Sequence, residues 1–220
     1  MSAPRYVIYG APVSPFVRKV RWVLALKGIG YDFEPIDVFN QPAWFAAISP
    51  LKRVPVLRDR ARGDATLADS SAILVYLEKQ HPSPALLPDD PWLVGRATWL
   101  EEYADTEFAY RVGMGVFRAR WANPRVGKPV DEALAQKTLT EVVPRYFDYF
   151  ERELAEAPYF LGDALSLADL SIATHFVNFA YGGERVDAAR WPKLAAFVER
   201  VHATPALAAV LADEAAELGM

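Results

Sequence analysis

The stretch RYVIYGAPVSPFVRKVRWVLALKGIGYDFEPID, Arg5–Asp37, sets the fold class. Arg5–Tyr9 is short and rich in β-branched and aromatic residues, which reads as a strand. Gly10-Ala11-Pro12 breaks it. Ser14 then stands where a helix N-cap belongs, and Pro15 takes the first helical position, where a missing N–H costs nothing. Val17, Val20, Val23 or Leu24, and Leu26 keep helical spacing until Gly28 ends the run. Tyr31–Asp37 reads as a second strand, parallel to the first because a helix joins them. Ser14 is open to two readings. It caps the helix and nothing more, or its hydroxyl holds a reactive anion at the positive end of that helix.

The pattern continues outward from this βαβ unit. QPAWFAAI, with Pro42 near its start, is a short helix or turn, and Val54–Asp59 is a third strand. RARGD makes a turn into Ala65–Ala68, so the third and fourth strands form a hairpin. Asp69–Gln80 is a helix with Asp and Ser at its start. His81–Pro91 holds four prolines and reads as a linker. Beyond it, Trp92–Trp121, Val130–Ala157, Leu167–Tyr181, Trp191–Val201 and Pro205–Leu218 carry helical spacing with no strand signal. The order implies a small α/β domain over residues 1–81, a linker over 82–91, and an all-helical domain over 92–220.

Composition narrows the chemistry. Apolar residues make up 52% of the 220 and the formal net charge is -4, which fits no nucleic-acid binder. Arg18, Lys19 and Arg21 form a short basic cluster, expected as a solvated helix face. The chain has no cysteine, so a chemistry of thiols requires a borrowed one. Its three histidines are scattered and imply no metal site. There is no signal-peptide pattern and no apolar run of membrane-spanning length, so a cytoplasmic protein without a membrane partner is expected.

Several positions carry both a structural and a chemical reading. Pro55 marks an edge or strand start, or a cis peptide whose turned backbone faces a ligand. Asp69 and Ser70 cap a helix, or together grip an amino-acid head group, the carboxylate on the helix N-terminus and the ammonium on Asp69. Ser166 and Asp169 form a capping box, with Leu165 and Leu170 as its hydrophobic staple; this is folding information. Trp99, Tyr103, Tyr110, Met114, Phe117 and Trp121 form one apolar stripe, and Leu93, Ala97, Leu100, Ala104 and Phe108 a second on the same helix. One stripe serves to bury the helix, which leaves part of the other to line an apolar cleft.

Three segments in order resemble the cytosolic glutathione transferase superfamily along nearly the whole chain. SPFVRKVRWVLALKGIGYD is similar to the serine-type classes, tau in particular. LKRVPVL followed by LADSSAILVYLEK resembles the family's cis-proline strand and its acidic-Ser-x-Ala-Ile motif. FLGDALSLADLSIATHF resembles its C-terminal capping box. The resemblance implies a thioredoxin-like domain (βαβ then ββα) that binds glutathione, an all-helical domain that supplies most of the electrophile pocket, and a homodimer. It implies that glutathione is a co-substrate, with no tightly bound cofactor and no metal, and that the thiolate attacks a small apolar electrophile. Carried over by position, Ser14 donates to the glutathione sulfur, with Tyr9 its rival because the tyrosine-type classes place their hydroxyl near the end of the first strand. The backbone of Val54, before Pro55, pairs with the cysteinyl part. Asp69 and Ser70 grip the γ-glutamyl head, with Asp where Glu is commoner. Lys52 or Arg53 lies near the glycyl carboxylate. Phe16, Tyr110, Met114 and Phe117 border the electrophile pocket. Within this family a binding or regulatory protein without turnover is the alternative, as is a glutathione-dependent isomerase, although that class's Ser-Ser-Cys signature is absent.

Overall fold

A computed structural model describes residues 3–219. In chain order its elements are β1 (Tyr6–Gly10), α1 (Pro15–Leu26), β2 (Tyr31–Pro35), α2 (Phe45–Ile48), β3 (Val56–Asp59), β4 (Ala65–Ala68) and α3 (Ser70–Gln80). Then come α4 (Pro91–Glu102), α5 (Asn123–Arg125), α6 (Glu132–Lys137), α7 (Val143–Leu154), α8 (Leu167–Tyr181), α9 (Pro192–His202) and α10 (Pro205–Leu218). The backbone packs as two units. One holds the chain through Leu86 together with the segment from Thr204 on; the other is Leu87–Ala203.

The first unit is thioredoxin-like. Its sheet runs in the order β2-β1-β3-β4, with β1 and β2 parallel and the other pairs antiparallel. Strand alternation sorts β1 onto two faces. Val7 and Tyr9 pack with Ile36, Phe45 and Val56 on the α2 face. Tyr6 meets Tyr76 of α3 edge-on at 6.4 Å, and α3 in turn packs on α1. Gly10 ends β1 where Val17 of α1 presses in; a Cβ there would lie 2.5 Å from a Val17 methyl. Asp59 closes β3 by accepting two bonds from Arg5 (2.9 and 2.7 Å) and one from the Tyr76 hydroxyl at 2.5 Å. The Arg5 guanidinium holds this carboxyl down to about 2, with burial opposing and Tyr76 and the Ala61 N–H assisting.

Two expectations need correction here. Arg18, Lys19 and Arg21 are buried, not a solvated face. α10 returns from the end of the chain and packs on α1, so Glu214 pairs with Arg18 and Glu217 with Arg21 at 2.7 Å each. For the same reason the unit boundary differs from the expected one: residues 204–219 group with the α/β unit.

The second unit is all helical. α8 is buried from Leu167 through Phe179, its polar Ser171, Thr174, His175 and Asn178 included, as suits a central helix. The Ser166 N–H and hydroxyl both reach the Asp169 carboxylate, at 2.8 and 2.6 Å, and both arms of a capping box are present. A third donor, the Phe160 N–H, joins at 2.9 Å. Burial pushes the Asp169 carboxyl up while these donors oppose it. The helix begun by α4 continues through Tyr103–Gly113 in the wider π form. Its buried stripe is Ala97, Leu100, Ala104 and Phe108, extended by Val112 and Val116.

Candidate active site

The sequence-predicted residues of the α/β unit gather at the ends of its strands and helices. Ser14 is the N-cap of α1 by position, with extended backbone and Pro15 after it. Its carbonyl accepts the first bond of the helix, from the Arg18 N–H at 2.9 Å, and its N–H donates to Ala11 O at 3.0 Å. Its hydroxyl makes no capping bond. A serine at an N-cap ordinarily turns its oxygen to the N–H two or three residues on. Here that oxygen is left to other partners, at the end of a twelve-residue helix.

Tyr9 sits otherwise. It is buried on the α2 face, its ring edge-on to Trp44 at 5.7 Å and beneath the Arg58 guanidinium at 5.5 Å. Burial pushes its phenol up from the ordinary value, with Arg58 pulling the other way. Strand alternation places Tyr9 with Val7 on the face that carries Phe45 of α2.

The segment before β3 is built to present its backbone. The Val54–Pro55 peptide is cis. The β3 ladder begins at Val56, so the N–H and C=O of Val54 lie outside it. Lys52 and Arg53 are exposed, and Lys52 has a positive φ of 53°. Ser49, buried, fixes this turn by donating to Arg53 O at 2.8 Å and accepting from Arg53 N at 3.0 Å. The Gln41 side-chain amide donates to Lys52 O at 2.8 Å. Sequence reading missed Ser49 and Gln41; the faint signal was a serine four residues before Arg53 in a segment too irregular for helix or strand.

Asp69 caps α3, accepting from the Ala72 N–H at 3.1 Å, and its φ is 93°. A non-glycine residue held there costs about 1–3 kcal/mol, and such strain concentrates at ligand sites. Asp69 is exposed and Ser70, next to it at the first turn, is buried. The cap uses one carboxylate oxygen and leaves the other for a cation.

The pocket candidates divide between the units. Phe16 is half-buried at the second position of α1. On the second unit Tyr110 and Met114 are exposed, and Phe117 stacks on Trp121 at 5.0 Å, which stacks on Tyr181 at 5.6 Å. Their stripe is thus the outward one of the two. Among the described residues no group of histidines and carboxylates could hold a metal ion, and no helix is long and apolar enough to cross a membrane.

A profile described as "Glutathione S-transferase, N-terminal domain" matches residues 8–85, and one described as "Glutathione S-transferase, C-terminal domain" matches residues 118–214. A maleylacetoacetate isomerase of Rattus norvegicus is 30% identical over 185 residues, 81% of this chain and 80% of its own. The chain belongs to the glutathione transferase family. Within that family it is similar to a glutathione S-transferase of Triticum aestivum, 27% identical over 96% of this chain and 95% of the relative. It also superposes on the crystal structure of a glutathione S-transferase from Rhodospirillum rubrum F11 with a TM-score of 0.84, at 26% identity, covering 94% and 91% of the two chains. The names of these glutathione transferase relatives carry two activities, transfer and isomerisation, so the reaction has to be argued from the site.

Proposed function

We propose that this chain is a serine-type glutathione transferase in which the Ser14 hydroxyl stabilises the thiolate of bound glutathione for attack on a small apolar electrophile. The observation that carries this reading is a serine at the N-cap of α1 whose hydroxyl does not cap. A free thiol has a pKa near about 8.5. Lowering it by about two units takes about 2.7 kcal/mol of preference for the thiolate. A hydrogen bond to a charged acceptor supplies about 1.5–3 kcal/mol, and a helix N-terminus about 0.3–1 kcal/mol more. One hydroxyl at the start of α1 is therefore sufficient, and no general base is required. The burial of Tyr9 in the cluster with Phe45 and Val56 weighs against it as the donor.

The rest of glutathione follows from the same unit. The second carboxylate oxygen of Asp69, with Ser70, receives the γ-glutamyl head. The Val54 backbone pairs with the cysteinyl amide, and Lys52 or Arg53 meets the glycyl carboxylate. On ionisation the thiol proton leaves to solvent. The sulfur then forms its bond to an electrophilic carbon while a leaving group departs with its electron pair; with a peroxide, the sulfur takes one oxygen as a sulfenic acid, the other leaves as an alcohol after gaining a proton, and a second glutathione displaces water to give the disulfide. Phe16, Tyr110, Met114 and Phe117 would border the apolar co-substrate. Glutathione is consumed as co-substrate, with no resident cofactor, in a cytoplasmic homodimer. The rat relative favours a second reading, isomerisation, in which the same thiolate adds to an activated double bond and leaves again.

Calorimetric titration with glutathione, followed by turnover with a series of electrophiles, tests the proposal. Binding together with thiol consumption supports transfer. Binding with product formed and no thiol consumed moves the reading to isomerisation. Failure to bind glutathione ends both.

A further inference from the structure

The buried cations of α1 have no part in the reading so far. Arg18 and Glu214 are both fully buried and are joined by two hydrogen bonds, Nε to Oε2 at 2.8 Å and Nη2 to Oε1 at 2.7 Å. Desolvating such a pair costs about as much as its attraction returns, and apolar side chains of similar volume often serve stability as well. Arg18 makes two further bonds that do bear on the site. Its Nη2 donates to Val13 O at 3.2 Å, and its backbone N–H donates to Ser14 O at 2.9 Å. Val13 O belongs to the peptide before Ser14, and Ser14 O to the peptide after it. The two planes that set the φ and ψ of Ser14, and so the direction of its Cβ, are both hydrogen-bonded to one residue.

We infer that Arg18, locked in place by Glu214 of α10, is the positioning residue for the Ser14 hydroxyl. This rests on the reading of Ser14 as the thiolate's donor. A planar guanidinium suits the task, since it reaches both carboxylate oxygens and still has an N–H for Val13. Because the guanidinium charge is matched by Glu214, the pair acts on the sulfur through geometry and not through net charge.

The test uses the full-length protein, with three readouts: the pKa of the bound glutathione thiol, kcat against the KM for glutathione, and thermal melting. The variant R18M/E214L removes both charges together, so the net charge near the sulfur is unchanged. It is expected to melt with the parent and keep its KM for glutathione, because Asp69, Ser70 and Val54 are untouched. Its kcat should fall about tenfold, since a displacement of about 1 Å in a reacting group is costly, and its bound-thiol pKa should rise. Arg18→Lys keeps the buried ion pair but lacks the fork, and should fall between the two. Parental kcat and bound-thiol pKa in the folded double variant would overturn the inference. Should the double variant not fold, the same result in Arg18→Lys would do so. Ser14→Ala separates the two levels. If it raises the bound pKa while the Arg18 variants do not, only the positioning role falls. If it leaves the pKa unmoved, the donor reading falls and this inference with it.

Discussion

Replacing Ser14 with alanine separates two roles that a serine at a helix start ordinarily combines. A working N-cap lost to alanine costs about 0.5–2 kcal/mol. The Ser14 hydroxyl makes no capping bond, so its loss should cost less than about 0.5 kcal/mol, the range of an inconsequential substitution. For a chain of this size that is a fall in melting temperature of under about 2 °C. Chemistry should respond quite differently. A bond of about 1.5–3 kcal/mol to the thiolate corresponds to about one to two pKa units. A bound thiol near about 6.5 would be about three-quarters ionised at pH 7, and one near about 8.5 only a few per cent. Turnover at neutral pH should drop about tenfold or more, and recover in the variant as pH rises. The assay is thiolate absorbance in the ultraviolet against pH, on saturated protein, beside a melt without ligand. A melting temperature lowered by several degrees with the bound pKa unmoved would refute the reasoning, because Ser14 would then be a cap.

Other sites yield sharper or simpler expectations. Asp69→Asn keeps the oxygen that accepts the Ala72 N–H but loses the charge, so melting should hold while the glutathione Kd rises about tenfold; an unchanged Kd by calorimetry would place recognition of the amine elsewhere. Gly10→Ala puts a Cβ 2.5 Å from Val17 in a packed interior and should cost about 1–3 kcal/mol in urea unfolding. A variant as stable as the parent would mean that α1 retreats from β1 freely. The depressed carboxyl of Asp59 contributes stability that is fully present above its unfolded value and is lost as pH falls through about 2. With Arg5 31% exposed, this contribution is discounted to about 1–2 kcal/mol. Melting curves of the parent and of Asp59→Asn should therefore converge between about pH 4 and pH 2. A gap that persists below that range would assign the effect to packing. Ser166→Ala removes the hydroxyl arm of the α8 capping box, leaves the backbone N–H on Asp169, and should lower stability by about 0.5–2 kcal/mol, read by the same melts.

The parts of the fold that were legible in the sequence are those with local causes. The Ser14-Pro15 start of α1, the hairpin turn at Gly63 and the span Leu167–Tyr181 of α8 each follow from a cap, a turn residue or a period. The two stripes of the long fourth helix separated correctly into a buried and an outward one, although periodicity alone did not say which was which. Arg18, Lys19 and Arg21 were misread because helical spacing cannot tell a paired cation from a solvated one. The carboxylate of Glu214 lies 196 positions away in sequence. The π turns of Tyr103–Gly113 had no local signature either. At the site, Ser14 and Asp69 stand at element boundaries, where sequence speaks clearly. Ser49 and Gln41 act on an irregular turn, where no period exists to read.

The return of α10 to the first unit has a consequence for the order in which the molecule is made. The α/β unit is begun before Leu87–Ala203 is made and completed after it. While the ribosome adds the whole of Leu87–Ala203, about 6–23 s at about 5–20 residues per second, α1 waits with Arg18 and Arg21 unmatched. A nascent thioredoxin-like sheet in that interval carries two uncompensated cations on a face meant to be covered. The helix that holds Ser14 thus reaches its final setting only when Glu214 and Glu217 arrive, after all of Leu87–Ala203 has been made.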